Sequence, residues 1–137
     1  MKAPPRRPLP IVGDIESKPF WDGCARGELL LQRCLNCGAL RHPPSPICAK
    51  CLSPRNEWLP ASGDATAYSF VVVHRAFHAA FEEGVPYVVA IVTLAEGPHM
   101  LSNVVDVPPE RVKIGMPLRV WFDRVSDEVT LPKFRPA

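Results

Sequence analysis

Arg33-Cys34-Leu35-Asn36-Cys37-Gly38, followed after nine intervening residues by Cys48-Ala49-Lys50-Cys51, decides how the front of this 137-residue chain folds. Two cysteines separated by two residues grip a metal ion from one tight knuckle, and two such pairs complete a tetrahedral thiolate shell. Gly38 follows the first knuckle, where a left-handed backbone is often needed. The stretch from Gly38 to Ile47 has room for a small hairpin, stiffened by Pro43, Pro44 and Pro46. Cys34, Cys37, Cys48 and Cys51 are therefore expected to hold one structural zinc ion per chain. Iron in a rubredoxin-like site takes the same ligands, and two disulfides or free thiols are the remaining alternatives. Four cysteine ligands close the coordination sphere, whereas catalytic zinc keeps a place for water, so the site predicts architecture and not chemistry.

Working outward, the composition supports a small globular protein. The apolar fraction is 47% and the charged fraction 22%, which excludes bulk disorder. No run reaches the roughly 20 apolar residues of a membrane span, so no membrane insertion is expected. The basic N-terminus, Met1 to Pro8, leads into no hydrophobic stretch and does not read as a secretory signal. A cytoplasmic location with reduced thiols follows as the expectation. Residues 1–56 hold nine Lys/Arg and four Asp/Glu, a charge of +5, and residues 57–137 hold seven and ten, a charge of −3. The mildly positive front suits a phosphate-bearing ligand but is far from a nucleic-acid-binding tail.

The chain divides into four stretches. Residues 1–13 are Pro-rich without periodicity and predict an extended arm. Residues 14–33 predict one short helix, capped by Ser17, admitting Pro19 in its first turn and ended by Gly27, then a lead strand at Leu29–Leu31. Cys24, the fifth cysteine, reads as a small core residue. Residues 34–56 form the zinc ribbon. Residues 57–137 concentrate β-branched and aromatic residues, with strands expected at 64–74, 87–94, 100–105, 118–125 and 129–134. Five short strands, with a longer connection at 108–113 that turns once as a helix, suit an OB-fold barrel. An SH3-like barrel or a small sandwich compete. The expected class is thus mainly β: an N-terminal helix, a rubredoxin-like zinc ribbon, then a five-stranded OB-fold.

Strict alternation places Tyr68, Phe70 and Val72 on one face of the first barrel strand and Val71 and Val73 on the other. The segment Tyr87 to Val92 is apolar on both faces as well. A small barrel buries only its inner face, so the outer one needs a cover. The short helix with Phe20 and Trp21 is one candidate, and a second protein chain is the other.

Taken together, Phe20-Trp21-Asp22-Gly23, Gly27-Glu28-Leu29, Gln32-Arg33 with both cysteine pairs, Arg41-His42-Pro43-Pro44, Tyr68 through Arg75, Val85-Pro86-Tyr87, Ile114-Gly115-Met116-Pro117 and Leu131 through Pro136 resemble one family. It is the zinc-ribbon plus OB-fold proteins associated with acyl-CoA metabolism. The resemblance spans nearly the whole chain and implies the helix, ribbon and barrel order. It implies an accessory partner of a thiolase-superfamily enzyme, of the kind found with thiolase-like aldolases of steroid side-chain breakdown. It also implies a role in lipid or steroid metabolism, with CoA or acyl-CoA as a ligand.

The residues themselves point away from a self-sufficient enzyme. The sequence lacks a GxSxG elbow, an HExxH motif and a phosphate-binding Gly-rich loop. His74 and His78, four apart, straddle a strand end rather than a helix turn. The rival to an accessory role is a single-stranded nucleic-acid-binding OB-fold, with Tyr68 and Phe70 as stacking platforms. The net negative barrel half argues against it. For a CoA ligand, the polar contacts are expected from Arg26, Arg33, Arg41 and Arg75. The apolar wall is expected from Phe20, Trp21, Phe77 and Phe81. Self-association through uncovered apolar strands is a further expectation.

Overall fold

The structure, a computed structural model, describes residues 6–137. The first five residues of the expected arm lie outside the described residues, and residues 6–13 form no regular element. Helix α1 (Lys18–Ala25) takes Pro19 in its first turn, where the missing N–H is no loss. Ser17 stands at the N-cap position, but its hydroxyl does not cap the helix. The Asp14 carbonyl receives the Ser17 and Lys18 N–H groups instead, at 3.2 and 2.8 Å. A backbone turn thus replaces the expected side-chain cap. At the other end Gly27, at φ +79°, lets Glu28 N–H fold back to the Gly23 carbonyl at 2.8 Å.

Strand β1 (Leu30–Cys34) pairs antiparallel with β2 (Leu40–Arg41) and with β3 (Asn56–Pro60). The ribbon is therefore a three-stranded sheet of order β2-β1-β3. The barrel follows as β4 (Asp64–Val73), β5 (Tyr87–Leu94), β6 (His99–Val104), β7 (Pro117–Arg124) and β8 (Thr130–Pro136). It closes in the order β4-β5-β6-β8-β7, antiparallel everywhere except the β6–β8 seam, where the parallel pairing is limited to Val104 with Phe134. The longer connection after β6 makes one 3-10 turn at Pro109–Arg111, and the loop between β4 and β5 makes another at Ala79–Gly84.

Inward-facing Ala67, Val88, Val92, Leu94, Leu118 and Phe134 fill the barrel. Phe20, Cys24, Leu29 and Leu31 belong to the same apolar cluster, so helix, ribbon and barrel share one core. Cys24 is buried within it, and desolvation pushes its thiol up to about 12, as suits an inert core residue.

Two expectations about the barrel's outer face need correction. Between Ala67 and Ser69 the register of β4 against β5 slips by one residue. Tyr68 is the extra residue of this bulge and points outward, 57% exposed, while Phe70 and Val72 pack against the core. Tyr68 and Phe70 therefore do not share a face. Second, helix α1 packs against β8, β1 and β7, not over β4 and β5. Val71, Ile91 and Leu101 stay exposed in consequence.

Candidate metal centre and the groove beside it

The four ribbon cysteines converge, with all four Sγ atoms within 4.8 Å of one another. Cys34 and Cys51 Sγ lie 3.5 Å apart, and Cys37 and Cys48 Sγ 3.6 Å apart. A tetrahedral zinc ion with bonds of about 2.3 Å sets neighbouring sulfurs about 3.8 Å apart, so the cluster has the size such an ion demands. Each knuckle is shaped by its own backbone. Gly38 N–H donates to the Cys34 carbonyl and Leu52 N–H to the Cys48 carbonyl, both at 2.9 Å. Gly38 and Leu52 occupy matching places after the two cysteine pairs, at φ +77° and +64°. Gly38 was readable from its type, whereas Leu52 takes the same left-handed backbone without that signal.

Backbone N–H groups also aim at sulfur. The N–H groups of Cys37 and Asn36 help draw the Cys34 thiol down to about 6. Those of Cys51 and Lys50 lower Cys48. Cys37 receives the Ala39 N–H, yet lost hydration and its sulfur neighbours hold it up at about 11. Thiols this close resist ionising together, and a divalent cation in their midst removes that conflict.

From the ribbon, the loop after β2 carries His42, Pro43 and Pro44 to helix α1, where the His42 and Phe20 rings lie 5.2 Å apart. Arg41 braces this loop: its Nε donates to Gln32 Oε1 at 2.9 Å and its Nη2 to the Ser45 carbonyl at 2.8 Å. Burial without a counter-charge holds His42 down at about 4.

Beside this junction two hollows, of about 470 and about 530 Å³, run along the outer side of the β6–β8 seam. They share Leu101, Ser102, Asn103, Leu131 and Lys133 and so form one groove. Phe20 and Trp21 line one end, and Phe81 lines the other. Phe77 instead projects to solvent, 83% exposed, with the Arg75 guanidinium 5.6 Å from its ring centre. Arg26 and Arg33 form exposed ion pairs with Glu28 and Glu57. The four arginines stand outside both hollows, so the structure does not gather the sequence-derived polar and apolar candidates into one cluster. The cations that do line the groove are Arg7 and Lys133, neither of them singled out by the sequence. No local signal marks Lys133, since a lysine alternating with apolar residues along a strand ordinarily faces solvent.

Comparison with known proteins yields the same two modules. Residues 21–57 match the ChsH2 rubredoxin-like zinc ribbon domain, and residues 58–123 match the ChsH2 C-terminal OB-fold domain. The chain is 40% identical over 132 residues to a probable enoyl-CoA hydratase alpha subunit of Thermomonospora curvata, covering 96% of this chain and 40% of that protein. It thus spans well under half of that relative's length. It is 39% identical over 97 residues to a DUF35 domain-containing scaffold protein of Methanocaldococcus jannaschii, covering 70% of this chain and 68% of that protein. Among solved structures it resembles a chain of the Ltp2-ChsH2(DUF35) aldolase, with TM-score 0.84, 38% identity, and coverage of 95% of this chain and 98% of that one.

Proposed function

The chain belongs to the DUF35 family of ChsH2-type zinc-ribbon and OB-fold proteins, and on that premise we propose that it is an accessory, non-catalytic subunit of a thiolase-superfamily enzyme. It docks through the outer face of its barrel and supports the enzyme's handling of an acyl-CoA. Its similarity to a scaffold protein and to a chain of an aldolase assembly supports this reading.

The observation that carries it is the uncovered sheet face. The register aligns Ser69, Ile91 and Leu101 in one cross-strand row and Val71, Val89 and Asn103 in the next. Val71 and Leu101 are 60% and 70% exposed, and neither row contains a charged residue. Burying such side chains against a partner stabilises a complex by on the order of 1 kcal/mol each. A single-strand-binding platform would need cations along these rows, and Tyr68 already rests on His99, with ring centres 4.4 Å apart.

The test is complex formation with the purified thiolase-superfamily enzyme of the same host, measured by light scattering coupled to gel filtration. The wild type and Ile15→Glu, altered at an exposed site in the turn before α1, are expected to bind. The double variant Val71→Glu/Leu101→Glu is expected to remain folded and fail to bind. Undiminished binding by that double variant overturns the docking face.

A further inference from the structure

We propose that the groove along the β6–β8 seam binds an elongated apolar molecule bearing one neutral carbonyl, the chemistry of the acyl end of a thioester, with Lys133 as the hydrogen-bond donor to that carbonyl. The inference deepens the accessory reading and rests on it, by naming the part of the acyl compound that this chain holds.

Lys133 alternates with fully buried Phe134 along β8 and therefore points to the outer side of the barrel wall. Yet it is only 8% exposed. It lines both halves of the groove. Its ammonium carries three donors, and its one acceptor among the described residues is Asp123 Oδ2 at 2.6 Å. The neighbouring polar side chains each have a donor committed: Ser102 Oγ donates to the Pro132 carbonyl at 2.7 Å, and Asn103 Nδ2 to the Val88 carbonyl at 2.9 Å. Trp21, Pro44, Leu101 and Leu131 supply an apolar wall on either side.

The charge state selects the ligand. The Lys133–Asp123 pair is neutral as a unit. A carboxylate drawn to Lys133 would place a second anion beside Asp123 in an apolar setting. A pure hydrocarbon would leave the free donors dry. A neutral carbonyl takes up a donor and adds no charge. The arm borders the groove at both ends, with Ile11 at one and Arg7 and Pro8 at the other. Arg7 is seated over the Phe81 ring at 5.1 Å, so this second cation of the groove is held at its far end.

The test uses the full chain without a partner and three probes of matched chain length: S-ethyl octanethioate, its carbonyl-free analogue ethyl octyl sulfide, and undecanoate. Calorimetry is expected to show the thioester binding about tenfold more tightly than either of the others, the worth of one hydrogen bond from a charged donor. Amide NMR shifts on the wild type are expected to centre on Leu101, Asn103, Leu131 and Lys133. Lys133→Met/Asp123→Leu removes both charges together, avoiding a lone buried one, and is expected to abolish the preference. No thioester binding, equal binding of undecanoate or of the sulfide, or shifts centred elsewhere overturns the inference while leaving complex formation with an enzyme standing. Loss of complex formation alone would instead strike the accessory reading.

Discussion

The His42 and Phe20 rings meet at 5.2 Å, tilted by 46°, and this contact ties the zinc ribbon to helix α1. Phe20 in turn meets Trp21 edge-on at 5.1 Å and joins the common core. The junction between ribbon and helix thus rests on a half-buried imidazole that desolvation keeps neutral.

That imidazole makes the fold sensitive to acid. Burial holds folded His42 at about 4, against 6.5 ordinarily. Above pH 6.5 both states are neutral there and nothing changes. As pH falls from 6.5 towards 4, the unfolded chain takes up the proton and the folded chain resists it, so stability declines. Between pH 7 and pH 5 the wild type is expected to lose about 2 kcal/mol more than His42→Phe, which keeps a ring at the contact. Chemical denaturation of both proteins at the two pH values checks this, and parallel losses would refute it.

A second prediction concerns the entry to the barrel. Gly63 sits at φ +88°, and a Cβ there would meet Val120 Cγ1 at 2.7 Å. Its carbonyl also accepts the Val120 N–H at 2.8 Å, which pins the spacing. Gly63→Ala is expected to cost about 2–3 kcal/mol, combining backbone strain with overpacking. Gly97, at φ +113° with nothing within 4 Å, isolates the strain alone, and Gly97→Ala should cost about 1 kcal/mol. Thermal or denaturant unfolding of the two variants decides, and equal effects would count against the close approach.

The metal gives the third prediction. Elemental analysis is expected to find one zinc per chain. Zinc binding contributes about 10–16 kcal/mol to folding in isolated finger peptides. Cys37→Ser should therefore yield insoluble or ribbon-unfolded protein. Cys24→Ser, which buries a hydroxyl in the core, should cost only about 1–3 kcal/mol. Iron in carefully prepared protein, or a fully stable Cys37→Ser, would contradict the assignment.

The cysteine spacing and the strand breakers made much of this architecture legible. The ribbon, the five barrel strands and the single 3-10 turn after β6 follow from Cys-x-x-Cys pairs, β-branched runs and Pro/Gly punctuation. Strand β3 was not legible, because Asn56 and Glu57 interrupt the apolar pattern and Pro60 ends it. Its pairing with β1 is a long-range event that local pattern does not reveal. The bulge at Tyr68 was hidden for a similar reason: nothing in Ala67-Tyr68-Ser69 marks an inserted residue, and strict alternation then carries Tyr68 to the wrong face. Of the site, the four cysteines could be read outright. The groove could not, since Lys133 looks like any surface lysine until β8 is placed beneath helix α1.

The most direct measurement is acyl-CoA conversion by the host's thiolase-superfamily enzyme, alone and with this protein added in equal amount. The account predicts no turnover by this chain alone, and activity of the enzyme that rises with it and falls again with Val71→Glu/Leu101→Glu. An enzyme that neither binds the chain nor changes its rate, together with tight, salt-sensitive binding of a single-stranded oligonucleotide by the chain, would contradict it.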